Sequence, residues 1–196
     1  MVAADAGHAG RRVVYVSGAP GAGKSTLAGP LAARLRFALL AKDLIKETLH
    51  DGLGAPASDL QWSRRLGGAA MELLWALAAQ AADVVVEANF RPNSEYERAR
   101  IAALAGNGGR LVEVYCHCPL DVAMARYAER ASACHPVHVV TSLTPEFMAD
   151  FDRPVGLGDL IDVDTTAPVD VAAVAQAILD RLASAPIPTE RSAPRR

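Results

Sequence analysis

The sequence predicts an α/β domain built on a five-stranded parallel sheet, flanked by helices and carrying a small lid. Three observations predict it. Short apolar runs rich in valine, isoleucine and leucine alternate with Ala- and Leu-rich stretches of helical period, the pattern of a parallel sheet covered on both faces. Gly18 to Ser25 read G-A-P-G-A-G-K-S, which fits G-x-x-x-x-G-K-[ST] at every fixed position. That loop lies between the first apolar run and the first helical stretch, the strand–loop–helix setting of a P-loop NTPase.

The elements follow in order. Arg12 to Ser17 is a β-branched apolar run suited to a buried parallel strand, and Lys24 to Leu35 is helical. Leu35 to Ala41 supplies a second strand, ending at Lys42 and Asp43. A helix runs from Leu44 to about His50, and the stretch from Asp51 to Pro56 breaks it. Asp59 caps a long helix in which Leu66, Ala70, Leu73, Leu74 and Leu77 recur at helical spacing. Asp83 to Glu87 is a strand with a carboxylate at its end. A helix from about Pro92 to Ala105 stops at Gly106 to Gly109, Arg110 to Cys116 is the fourth strand, and Pro119 to Arg130 is a helix. Ala131 to Thr144 has no periodicity. Thr144-Pro145-Glu146 is a helix start with proline at its first position. Leu160 to Val163 is the fifth strand, and Val171, Val174, Ala175, Ile178, Leu179 and Leu182 mark an amphipathic closing helix. The reading is one domain, residues 11–184, between flexible tails at 1–10 and 185–196.

Composition bounds the function. The chain has 196 residues, enough for one full core and short for two. Its formal net charge of −2 argues against broad attraction to nucleic acid or to an anionic membrane. No apolar run reaches the ~18–20 residues of a membrane span, and the first ten residues lack a signal pattern. Three cysteines do not form an even disulfide set, so a cytoplasmic protein with reduced thiols is expected.

The chemistry should sit at the carboxyl ends of the strands. Gly18, Gly21 and Gly23 let the loop curl, with Ala19, Pro20 and Ala22 between them, so that its N–H groups face phosphate oxygens; the helix N-terminus adds partial positive charge. Lys24 reaches the β- and γ-phosphates, the Ser25 hydroxyl offers a Mg²⁺ ligand, and Thr26 follows at the loop's edge. The expected cofactors are therefore ATP and Mg²⁺. Asp43, just past strand two, can take the proton of an attacking hydroxyl or simply cap the next helix, and Lys46 shares its face one turn on. Glu87, after four apolar residues, suits a carboxylate that holds Mg²⁺ through water. Asn89 and Arg91 offer contacts to substrate hydroxyls or anionic groups.

With Asp43 and Lys46 in place, the chain resembles the small P-loop kinases of the chloramphenicol-phosphotransferase, zeta-toxin and polynucleotide-kinase type, an AAA-type ATP-binding group. The resemblance covers roughly Val13 to Leu182 and implies Asp43 as the base, with Lys46 on substrate or phosphate. Glu87-Ala88-Asn89-Phe90-Arg91 resembles the segment that borders the acceptor pocket in such kinases. Arg126 and Arg130, four apart, resemble the R-x-x-x-R that leads into the lid and closes arginines over the phosphates. Asp164-Thr165-Thr166 resembles the adenine-side loop, which puts Thr166 at the base.

These readings imply an ATP-dependent kinase that phosphorylates a hydroxyl of a small molecule such as an antibiotic, nucleoside, sugar or cyclitol. Its acceptor pocket is expected between Asp43–Lys46, the Leu53–Trp62 loop and Asn89–Arg91. The alternatives are a polynucleotide 5′-end kinase, whose channel should be basic and aromatic, and a non-catalytic ATP-binding regulator. A guanine-specific N-K-x-D is absent. Cys116-x-Cys118 with Cys134, His135 and His138 matches no standard zinc spacing, so His135-Pro136-x-His138 reads as substrate contact or packing.

Overall fold

The computed structural model describes residues 10–54, 59–106 and 108–184. Nearly all of both expected tails, and part of the break after the second helix, lie outside them. Five parallel strands form one sheet in the order β2-β3-β1-β4-β5. They are β1 (Arg12–Ser17), β2 (Ala38–Ala41), β3 (Asp83–Glu87), β4 (Arg110–His117) and β5 (Asp159–Asp164). The helices are α1 (Lys24–Leu35), α2 (Lys42–Leu53), α3 (Leu60–Ala78), α4 (Glu95–Ala105), α5 (Leu120–Arg130), the single-turn α6 (Pro145–Met148) and α7 (Val171–Ala183). Among the described residues no helix is long and apolar enough to cross a membrane.

Strand alternation sorts the core into two layers. Val14 and Val16 of β1 pack toward α1 and α7 with Leu27, Leu31 and Ile178. Val13 and Tyr15 face α3 and α4 with Leu74, Trp75, Phe90 and Ile101. Local chemistry sets the element ends. Leu35 closes α1 rather than opening β2, because Arg36 turns the chain with a left-handed φ of 58°. Ser94 caps α4 by accepting from Glu97 N–H, so that helix starts at Glu95 and not at Pro92. α2 starts at Lys42 directly from β2 with no side-chain cap, which places Asp43 inside its first turn.

A fully buried carboxylate lies in this core. Glu113 on β4 is fully buried and accepts four hydrogen bonds, from Tyr15 Oη (2.7 Å), Ser17 Oγ (2.6 Å) and the N–H groups of Val155 and Gly156 (2.8 Å each). It thereby ties the approach to β5 onto the strand that ends one residue before the glycine loop. Burial and this carboxylate together push the Tyr15 phenol far above its ordinary pKa. Glu113→Gln should lower stability by about 2–4 kcal/mol, because the amide turns a donor toward buried donors. A denaturant midpoint matching that of the wild type would show that these bonds contribute nothing net.

Candidate active site

The glycine loop is held by two close approaches. Gly18 has φ +128°, and a Cβ there would lie 2.1 Å from the Cys116 carbonyl; at Gly21, with φ +84°, a Cβ would lie 2.1 Å from the Ala123 carbonyl. Only glycine allows the loop to press against β4 and α5 in this way. α1 then begins at Lys24 with no side-chain cap, so side chains leave its first N–H groups free for an anion. Lys24 is buried, and its Nζ donates to the Ala19 carbonyl at 2.7 Å, folded back across the loop. Burial lowers the pKa of this ammonium, Glu87 and Asp43 oppose the shift, and Arg130 adds to it.

Register explains why two carboxylates meet that lysine. In the parallel ladder Glu87 pairs with Val16 on one side and with Ala41 on the other, level with the loop and with the start of α2. Glu87 is buried, and burial raises its pKa against the pull of Lys24 and of a hydrogen bond from Ser25. Asp43 is half exposed and accepts from Lys42 Nζ at 2.8 Å. Burial alone would raise its pKa, but Lys42, His138 and Lys24 outweigh that and hold it below the ordinary carboxylate value. The result is a buried cation in the field of two acids driven in opposite directions, with the exposed Ser25 hydroxyl beside the deeper one. Those oxygens suit a hard cation such as Mg²⁺.

On the other side of the loop lies a cavity of about 580 Å³, lined by Gly21, Gly23, Thr26, Arg126, Arg130, Thr165, Thr166 and Val169 among others. Arg126 Nη2 donates to the carbonyls of Thr165 (3.1 Å) and Thr166 (3.3 Å), joining α5 to the loop after β5. Arg130 Nε donates to the Arg126 carbonyl at 3.2 Å. Thr165 is buried, and its hydroxyl lies 3.0 Å from the Ala22 carbonyl and 2.9 Å from that of His117.

A parallel sheet of this order, with the loop after its central strand and acids at the ends of β2 and β3, defines a P-loop NTPase domain. The chain belongs to the family described as an AAA domain, which matches residues 13–154. It is 30% identical over 177 residues to an adenylyl-sulfate kinase from Shewanella pealeana, covering 88% of this chain and 82% of the relative. A crystal structure of a candidate kinase from Chloroflexus aurantiacus J-10-fl is similar at 31% identity and a TM-score of 0.76, over 87% of this chain and 98% of that one. The APS kinase of Mycobacterium tuberculosis, solved with AMPPNP and APS, shares the fold at 23% identity and a TM-score of 0.51, over 89% and 99%. The protein is an ATP-dependent P-loop kinase, with ATP and Mg²⁺ as its cofactors.

The structure gathers Lys24, Ser25, Asp43 and Glu87 around the loop, and Arg126, Arg130 and Thr166 around the adjoining cavity. Of the three other predicted residues, Lys46 and Arg91 are bonded to protein partners. Lys46 is buried, donating to Ser63 Oγ (2.8 Å) and to the Val137 carbonyl (3.3 Å). Arg91 pairs with Glu97 at 3.3 Å and Asp150 at 3.9 Å, stacked over Phe151. Asn89 is half-buried in the loop after β3. Of the wall expected at Leu53–Trp62, residues 55–58 lie outside the described set. Sequence reasoning gave Lys42 no role, placed Thr165 only as part of the loop after β5, and read His138 as substrate contact or packing. Lys42 was visible as the neighbour of Asp43, whereas the partners of the other two, Ala22 and His117 for Thr165 and Glu47 for His138, are remote in sequence. No cysteine joins a metal-type cluster among the described residues; the group that forms is His50, Asp51 and His135.

Proposed function

We propose that the protein transfers the γ-phosphate of ATP to a hydroxyl of a small molecule in the cytoplasm. The supporting observation is Asp43: an ionised, half-exposed carboxylate outside the loop, with Lys24 between it and Glu87. In this reading Asp43 receives the acceptor's proton, Lys24 and a lid arginine (Arg126 or Arg130) carry the charge of the moving phosphoryl group, and Ser25 with Glu87 hold Mg²⁺. Thr166 borders the adenine, and Asn89 with Arg91 borders the acceptor. The candidate acceptors are antibiotics, nucleosides, sugars and cyclitols, and the relatives named adenylyl-sulfate kinase add adenylyl sulfate.

Purified protein incubated with γ-labelled ATP, Mg²⁺ and a panel of acceptors tests this. The panel should hold antibiotics, nucleosides, sugars, cyclitols, adenylyl sulfate and a 5′-hydroxyl oligonucleotide. Label should pass to at least one small alcohol faster than to water. Label on adenylyl sulfate alone would replace the acceptor class, label on the oligonucleotide would make the protein an end kinase, and ATP binding without transfer would make it a regulator.

A further inference from the structure

Residues 131–144 leave α5 and return across the site to α6, and their middle is docked rather than loose. His135-Pro136-Val137-His138 forms a tight turn, with His138 N–H donating to the His135 carbonyl at 2.9 Å. The turn lies antiparallel along α2. His138 Nε2 meets Glu47 Oε1 at 2.8 Å, and His135 Nε2 meets Asp51 Oδ1 at 3.0 Å. Asp43, Glu47 and Asp51 recur every fourth residue and so share one helix face. Between the two histidines, Val137 is buried, and its carbonyl accepts from both Ser63 Oγ (2.7 Å) and Lys46 Nζ (3.3 Å).

We propose that Lys46 and His138 are positioning residues that clasp the lid onto α2 and α3. The inference rests on the kinase reading above. A buried ammonium is stable only with partners, and Lys46 has two of its donors on Ser63 and Val137. Lifting the lid removes the Val137 carbonyl and admits water to the ammonium. A substrate role for Lys46 would require breaking this clasp.

The ligand atoms of His50, Asp51 and His135 lie within 4.8 Å of one another, a spacing that invites a metal. The hydrogen bond from Val137 N–H to His135 Nδ1 (3.2 Å) argues otherwise. With Nδ1 accepting, the neutral ring carries its proton on Nε2, where it is donated to Asp51 and leaves no lone pair for an ion. The cluster is part of the clasp.

Ser63→Ala, His138→Ala and His138→Gln test the proposal through two measurements. Amide exchange at Val137 and His138, without nucleotide, should speed up about tenfold in Ser63→Ala and His138→Ala, the worth of roughly one hydrogen bond. Release of a fluorescent ATP analogue with Mg²⁺ should accelerate by a similar factor, at an unchanged association rate. His138→Gln, which keeps a donor for Glu47, should stay within about threefold of the wild type in both. Exchange and release unchanged in both alanine variants would overturn the clasp, as would a glutamine variant as fast as the alanine. A wild type that binds no nucleotide would remove the kinase reading instead, and amide exchange would still decide the clasp.

Discussion

Lys24→Ala is expected to cut phosphate transfer by a factor on the order of a thousand while leaving the fold intact. The side chain packs in neither apolar layer, and its hydrogen bond goes to a carbonyl of its own loop. Burial lowers the ammonium's pKa, so below that pKa the charge costs the folded state a desolvation that the unfolded chain, carrying the same charge in water, does not bear. Removing it should therefore leave the melting temperature unchanged or slightly higher. Glu87 and Asp43 lose their shared cation at the same time, so both carboxyls should titrate at higher pH in the variant. Steady-state turnover with thermal denaturation checks both halves. Turnover near that of the wild type would end the assignment of this loop to the β- and γ-phosphates.

What the sequence makes legible is chemistry confined to one stretch of chain. The loop is readable because turn, anion cradle and lysine are adjacent, and the strands are readable because a sheet buried on both faces demands apolar runs. Boundaries read from apolar content alone slip at Leu35, an apolar residue that suits the end of α1 as well as the start of β2. The capping reading of Asp43 fails for a geometric reason: β2 runs into α2 without an intervening residue, so the cap position falls on Ala41. Lys46 was legible as a residue on the Asp43 face but not as a lid anchor, since Ser63 and Val137 lie 17 and 91 positions away. Glu113 interrupts an apolar strand for the same kind of reason, with partners from β1 and from residues 155–156 that no local spacing encodes.

Asp43→Asn should lower transfer to the acceptor by about a hundredfold or more while ATP affinity stays within a few-fold. The substitution isolates chemistry from structure, because α2 has no side-chain cap to lose and the amide oxygen still accepts from Lys42. The direction of the pKa shift refines the mechanism. A carboxyl held below its ordinary value is ionised throughout the neutral range, and it is a weak base. That suits a loose phosphoryl transition state, in which the acceptor hydroxyl is aligned first and gives up its proton late. The same shift fixes the pH dependence. A depressed folded-state pKa contributes stability above the ordinary carboxylate value, and that contribution is lost as pH falls through the lowered one. The rate should therefore hold from neutral pH down through the ordinary carboxylate range and fail only in stronger acid, whereas this part of the stability is lost progressively between the ordinary carboxylate value and the lowered one. A pH–rate profile of the wild type beside the asparagine variant, taken where chemistry limits turnover, decides the point. If the acid limb of the wild type persists unchanged in the variant, the titrating group is Glu87 and the base must be sought there.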